Sequence, residues 1–394
     1  MIEIRGKYNT TKVFTDNVDS ETISQITELM NQECIKDSRV RIMPDCHAGK
    51  GCVVGTTMTL NDKVISNLVG VDIGCGMFAV KLEETEIDLS FLDSIIYNYV
   101  PCGFDIHEHS MFKSNVKDIK APIDFDRSQK SLGTLGGGNH FIEVDRDSSG
   151  NLWLVIHTGS RHLGIEVCNY YQDLGWIKIK HNNTDEKIKK TIDKLKKEGK
   201  QKDIENTIKI LKMQGAPISK DLCYIDGQDF YDYIHDMKIV QEHAKINRES
   251  IASIIIDHMN FHVKDSFYTV HNYIDTDNMI LRKGSVSANL NEKLIIPMNM
   301  RDGSLICIGK GNEDWNCSAP HGAGRVMSIS EAKENVMEQE FVDSMKGIYS
   351  TSVTKSTIDE APMVYKPMQE IINNIEDTVS IVDIIKPIYN FKAH

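Results

Sequence analysis

The chain of 394 residues is 40% hydrophobic and 26% charged, the balance of a globular protein with length for one large domain or two ordinary ones. Its net charge of −12 argues against a protein that coats nucleic acid through general basicity, although a positive cleft or bound cations can still receive a polyanion. It has no apolar run of about 18 residues for a membrane span, no apolar leader behind the charged Met1-Ile-Glu-Ile-Arg-Gly-Lys7, and no disulfide framework in nine irregularly spaced cysteines without a CxxC pair. The expectation is a cytoplasmic protein in which any special cysteine is a metal ligand or a nucleophile.

Along the chain, Ser20–Met30 sets Ile23, Ile26, Leu29 and Met30 at helical spacing, with Ser20 as the N-cap. Asp45, Cys46 and His47 lie in a Gly-rich turn before a strand-like Cys52-Val-Val54. Their spacing is poor for three ligands, and a polar turn with a hydrogen-bonded histidine is the plain alternative. Val69-Gly-Val-Asp-Ile-Gly-Cys-Gly-Met77 places Asp72 three residues before Cys75, among glycines that permit a tight, irregular path. A carboxylate and a thiolate turned to one point suit a transition metal better than magnesium or calcium. A strand end with an inert buried cysteine is the competing reading.

Residues 66–145 alternate apolar strands and turns. They end in Gly136-Gly-Gly-Asn-His140, where backbone amides can approach a ligand closely, and in a strand with Glu143 on the face of Phe141. The strand at 152–156 delivers His157 at its end, and Arg161 follows as a candidate phosphate fork. Residues 183–213 are lysine-rich, with Ile188, Ile192 and Leu195, then Ile204, Ile208 and Leu211, at helical spacing about Gly199. This predicts an inserted helical hairpin whose charges form a solvated face, with nucleic-acid contact as the sharper option. A helix over 228–257 carries Tyr233, Met237, Val240 and Ala244 on one face. Short strands and Gly-rich turns fill 266–330, a helix covers 329–346, and a strand-like tail runs over 384–392.

Asp72, Cys75, His140, His157 and His271 are enough donors for two ions if the thiolate bridges them. Two ions about 3.5–4 Å apart are a common device in phosphoryl chemistry. These donors favour manganese, zinc or cobalt over magnesium. His321 stands apart in His-Gly-Ala-Gly-Arg325, where small neighbours leave an imidazole free to act as a covalent nucleophile on phosphorus. A turn histidine is the plain alternative.

With these residues assembled, the sequence resembles the RtcB family of RNA ligases over nearly its whole length. The resemblance rests on Val71-Asp-Ile-Gly-Cys-Gly76, Gly136-Gly-Gly-Asn-His-Phe-Ile-Glu143, His157-Thr-Gly-Ser-Arg161, His271-Asn-Tyr273, His321-Gly-Ala-Gly-Arg325, Asp359-Glu-Ala-Pro362 and Lys392. These stand together in the family's order. The resemblance implies an α+β fold as a single catalytic domain over 1–394. Antiparallel sheets would surround a central polar cleft, with helices outside and the 183–213 hairpin inserted.

The resemblance also implies a ligase dependent on GTP and two manganese(II) ions. It would join RNA ending in a 3′-phosphate or 2′,3′-cyclic phosphate to RNA with a 5′-hydroxyl, through GMP held on His321. One ion would be held by Asp72, Cys75 and His140; the other would share Cys75 and add His157 and His271. Asn139, His140, Phe141, Ile142, Glu143, His271, Asn272, Pro297, Asn299, Met300, Ser304, His321, Gly322, Ala323, Gly324 and Lys392 would line the guanylate pocket, with Glu143 at the guanine edge. Arg161, Arg282, Lys283, Arg301 and Arg325 are the cations expected to meet RNA phosphates. The expected state is a monomer without a membrane partner.

Two departures from the family pattern, Pro297-Met-Asn-Met300 in place of Pro-Gly-Ser-Met and Cys46 in place of a valine, point to a divergent branch serving RNA repair rather than transfer-RNA splicing. They also make Asn299 a weaker pocket residue than Ser304. A metal-dependent RNA-end phosphoesterase or end-healing enzyme without ligation, and an inactive RNA-binding relative, are the competing functions.

Overall fold

Leu152–Thr158 reads Leu-Trp-Leu-Val-Ile-His-Thr, and all seven of its residues are buried. A strand covered on both faces belongs in the middle of a sheet. The computed structural model describes residues 1–49, 51–213 and 218–392, with the backbone alone for 181–186 and 210–213. It places this strand third in a seven-stranded antiparallel sheet. The order is Val263–Val270, Gly76–Leu82, Leu152–Thr158, Phe141–Arg146, Val379–Lys392, Gly303–Gly309 and Lys293–Asn299.

A six-stranded sheet is ordered Ile2–Arg5, Thr10–Val13, Val40–His47, Val54–Thr59, Ile280–Lys283 and Asn272–Asp275. It is antiparallel except where Thr10–Val13 pairs parallel with Val40–His47. The architecture is mixed α+β, as expected.

The helix Gly227–Met259 covers the larger sheet with Ile251, Ile254 and Ile255, which join Val80, Ile142, Val144, Leu154 and Ile156 in one buried cluster. Burial of that apolar face holds helix and sheet together, at roughly 25 cal/mol per Å² removed from water. Among the described residues no helix is long and apolar enough to cross a membrane.

Several sequence expectations shift. The N-cap of Ser20–Met30 is Asp19, whose carboxylate accepts from the Thr22 N–H at 2.8 Å, and not Ser20. The strand expected at 52–54 begins at Val54, because Cys52 and Val53 turn into the core. The tail strand starts earlier, at Val379. The helix expected over 329–346 is two, Ile329–Asn335 and Glu338–Ser344, because the chain extends at Val336 and Met337 to bury Val336.

The first arm of the expected hairpin starts not at 183 but at His162, in a helix His162–Lys197 of 36 residues. Leu163, Val167, Cys168 and Tyr171 anchor its first turns in the core. Ile204–Met213 is the second arm. The side chain of Leu211, on its expected apolar face, lies outside the described residues.

Candidate metal centre and nucleotide cleft

One end of the seven-stranded sheet gathers the chemistry. Cys75 immediately precedes Gly76–Leu82 and His140 precedes Phe141–Arg146, while His157 is the last residue but one of Leu152–Thr158, His271 follows Val263–Val270, and Lys392 ends Val379–Lys392. Register keeps these ends level. Gly76 pairs with Val270 and Thr158, His157 with Met77 and Phe141, and Phe141 with Lys392. Alternation along a strand does the rest, by selecting which side chains face the cleft.

Two groups of donors result. Asp72, Cys75 and His140 form one, and Cys75, His157 and His271 the other; within each group the donor atoms lie within 4.8 Å of one another. Cys75 belongs to both. Its Sγ is 3.5 Å from His140 Nε2 and 3.3 Å from His157 Nε2. His157 Nε2 is 3.3 Å from His271 Nε2, and His140 Nε2 is 2.9 Å from an Asp72 oxygen.

The outer ring nitrogens decide what these contacts mean. His140 Nδ1 lies 2.8 Å from the Leu135 carbonyl and His157 Nδ1 lies 3.2 Å from the Asn139 carbonyl. A carbonyl only accepts, so Nδ1 carries a hydrogen in both rings and Nε2 is the nitrogen that faces inward. Between His140 Nε2 and the Asp72 oxygen, 2.9 Å apart, there is room either for the ring's own hydrogen bond, which lowers the Asp72 carboxyl, or for a cation in its place.

For His157, burial and then the neighbouring His271 and His140 push the imidazole well below its usual range, so a second ring proton is disfavoured. Burial and then His321 do the same to His271. Burial and the adjacent Asp72 push the Cys75 thiol up. Burial raises the Asp72 carboxyl too, but hydrogen bonding and charge from His140 outweigh it and hold it at about 2. A converging set of imidazoles with a thiol and a carboxylate fits a borderline metal ion, which would deprotonate the thiol on binding.

The long helix Gly227–Met259 pins the loops that carry these donors. Arg248, buried, donates from Nη1 to the carbonyls of Gly74 at 2.7 Å and Thr158 at 2.8 Å. Asn247, beside it, accepts from the Gly133 N–H at 2.8 Å and donates to the carbonyls of Thr134 and Gly159, both at 3.1 Å. Gly74 has φ +73° and lies so close to this helix that a Cβ would stand 2.8 Å from that of Ala244. Gly136 has φ +86°, and a Cβ there would overlap the Arg161 guanidinium. These two glycines are needed for conformation and for space.

His321 sits beside the second group, its ring centroid 5.0 Å from that of His271. Asp45, fully buried on Val40–His47, accepts from His321 Nδ1 at 2.6 Å and from the N–H groups of His321 at 3.1 Å and Gly322 at 3.2 Å. With Nδ1 so engaged, Nε2 is the ring nitrogen left with a lone pair.

A cleft of about 130 Å³ adjoins it. Its far wall carries Glu143, which accepts from Asn390 Nδ2 at 3.0 Å, and Lys392, which pairs with Glu360 at 2.7 Å. Burial pushes the Glu143 carboxyl up, against the lowering contributions of Asn390 and Lys392. A buried Asn390 Oδ1 has no partner there among the described residues.

The sequence matches the model of the family described as tRNA-splicing ligase RtcB over residues 25–125 and 106–393. The chain belongs to the RtcB family of RNA ligases. It is 28% identical to RNA-splicing ligase RtcB of Escherichia coli K12, over 90% of each chain. It is 24% identical to tRNA-splicing ligase RtcB of Methanococcus maripaludis, over 96% of this chain and 92% of that one. A similar 24% is shared with the enzyme of the same name from Nanoarchaeum equitans, over 84% and 83%.

Of the pocket residues that the RtcB resemblance implied, Asn139, Phe141, Glu143, His271, Pro297, Asn299, Met300, His321, Gly322, Ala323, Gly324 and Lys392 line the cleft. His140 instead faces a second cleft with Asp72 and Arg161. Ile142 alternates to the opposite face and packs in the core. The Asn272 amide oxygen is taken by the Gly284 N–H at 3.0 Å. Ser304 is fully buried and absent from the lining, whereas Asn299 is part of it.

The phosphate cations also divide. Arg282 is 0% exposed, with its guanidinium on Ser318, Tyr273, Asn316 and Cys317, and Lys283 donates to Cys52 Sγ at 2.9 Å and the Asn67 carbonyl at 3.0 Å. Both are structural, a correction to the sequence reading. Arg161 donates to the Gly103 carbonyl at 2.8 Å and to Thr134 Oγ1 at 3.1 Å. Arg301 is held by Asp302 at 2.8 Å. Arg325 lines the first cleft, paired with Glu360 at 3.1 Å.

Proposed function

We propose that the protein is a GTP- and manganese(II)-dependent ligase that joins RNA 3′-phosphate or 2′,3′-cyclic phosphate ends to 5′-hydroxyl ends. The observation that carries this reading is His321, oriented by Asp45 through Nδ1, on the wall of a cleft beside two donor groups that share Cys75. Its Nε2 attacks the α-phosphorus of GTP, forming a P–N bond as the α–β bridge breaks and pyrophosphate leaves. Asp45 takes up the positive charge that develops on the ring.

A 3′-phosphate oxygen of the RNA then attacks the same phosphorus and frees His321, leaving the RNA end capped by GMP. A cyclic phosphate is opened by water first. The 5′-hydroxyl attacks the capped 3′-phosphate, making the 3′,5′ bond and releasing GMP. Two manganese ions held by Asp72, Cys75 and His140, and by Cys75, His157 and His271, would supply charge neutralisation at the phosphates. Glu143 accepts from the guanine edge, Lys392 closes that end of the pocket, and Gly322 through Gly324 bring backbone close to the α-phosphate.

The test supplies a 2′,3′-cyclic-phosphate RNA and a 5′-hydroxyl RNA with GTP and manganese. A joined product that requires GTP is expected. Opening to the 3′-phosphate with no joined product would replace this reading with an end-healing phosphoesterase.

A further inference from the structure

The sixteen residues 187–202 hold eight lysines and two acids, a local charge of +6 in a chain whose total is −12. They straddle the end of the helix His162–Lys197, whose 36 residues extend about 54 Å. The helix is rooted at the site: Arg161 and His162 line the second cleft together with Asp72 and His140. Burial along it ends at Ile179 among the described side chains, and from Lys187 to Lys209 no residue is buried.

Ile188, Ile192 and Leu195 are half-buried where this helix lies against Ile204–Met213. At 100° per residue, Lys187, Lys190, Lys194 and Lys197 fall on the opposite side in one stripe, and all four are exposed. The acids nearby offset only part of this charge. Glu198 serves both Lys194 at 3.9 Å and Lys200 at 3.1 Å, and Lys187 and Lys197 have no acidic partner among the described residues.

Such a stripe does not help the fold, since like charges in line repel. It lies far from the chemistry. Lys187 and Lys197 are about 38 and about 53 Å along the helix axis from His162. At about 3.4 Å per nucleotide step, an RNA end seated at the donor cluster reaches Lys187 only after about 11 steps.

We propose that this stripe grips the phosphate backbone of a folded RNA, remote from the ends being joined. The protein then favours substrates whose body continues at least about 11 steps from the break. The choice of RNA as the polyanion rests on the ligase reading above.

The test measures equilibrium binding by fluorescence anisotropy, using the full chain without GTP. The probes are a single-stranded RNA of about 6 nucleotides and a stem-loop with a stem of about 16 base pairs, at about 50 to about 200 mM salt. The variant carries Lys187→Gln, Lys190→Gln, Lys194→Gln and Lys197→Gln. Stem-loop affinity should fall at least about tenfold and its log–log salt slope by about 3 units, with the short RNA held within about twofold. The fourfold Lys→Arg variant should bind like the wild type.

Equal loss on both RNAs, loss on neither, or failure of the arginine variant to restore binding would overturn the proposal. The joining assay is independent: stem-loop-selective binding without any joining would sink the ligase reading and leave the stripe standing.

Discussion

The Asp45 carboxylate lies 2.6 Å from Nδ1 of His321 and binds the backbone of the same turn through the His321 and Gly322 N–H groups. One buried acceptor thus fixes the position, the tautomer and the ring orientation of the histidine proposed to react. Asp45→Asn keeps the shape but puts an amide where the ring needs an acceptor. The rate of GMP transfer to His321 should fall by about 10²-fold or more, measured as covalent label against time, with thermal stability near wild type. Labelling at the wild-type rate would contradict this role.

The proposed sharing of Cys75 makes a prediction about stoichiometry rather than rate. Asp72→Ala and His271→Ala each remove a donor from one group only, and each should reduce bound manganese from about two ions per chain to about one. Cys75→Ala removes a donor from both groups and should leave less than about one ion. Elemental analysis after gel filtration reads this directly. Two retained ions in Cys75→Ala would show that the groups do not share that ligand.

Arg248 reaches the donor cluster through the backbone, holding the carbonyls of Gly74 and Thr158. Arg248→Met keeps most of the stem in place and releases both loops. Metal affinity should weaken by about 10–100-fold, the usual effect of removing support behind ligands. A metal titration of the purified variant checks this, and unchanged affinity would make Arg248 a packing residue alone.

The histidine and cysteine donors were legible from sequence because they stand at strand boundaries: Cys75 and His140 beside glycines just before a strand, His157 and His271 at the end of one. Their supports were not. Asp45 and His321 meet across 276 residues, and nothing near either residue announces the other. Asn247 and Arg248 lie in a helix whose apolar face reads as core, and burial of an arginine there is set by carbonyls from distant loops.

The misplaced pocket residues, Ile142 and Asn272, are neighbours of true lining residues. Strand alternation puts Ile142 on the wrong face, while a backbone N–H claims the Asn272 amide. Asn390 was within reach, since it stands two residues before Lys392 and so shares its face of the strand.

Glu143 and Asp145 stand on one face of Phe141–Arg146, and both carboxyls are buried. Burial raises both, and the charge of Glu143 raises Asp145 further. The folded state therefore retains protons that the unfolded chain has already released. Stability falls as pH rises above the ordinary carboxylate range, until the folded groups themselves ionise. In Asp145→Asn one of these groups no longer titrates, so the drop in Tm between about pH 5 and about pH 8 should shrink. A drop as large as that of the wild type would contradict the assignment.

The most direct measurement of the central claim is covalent labelling of the protein by radiolabelled GTP with manganese, in the absence of RNA. The account predicts a label from the α-phosphate that is acid-labile and alkali-stable, is absent in His321→Ala, and is chased into product when both RNA ends are added. A label that persists in His321→Ala, or no label in the wild type with manganese bound, would contradict it.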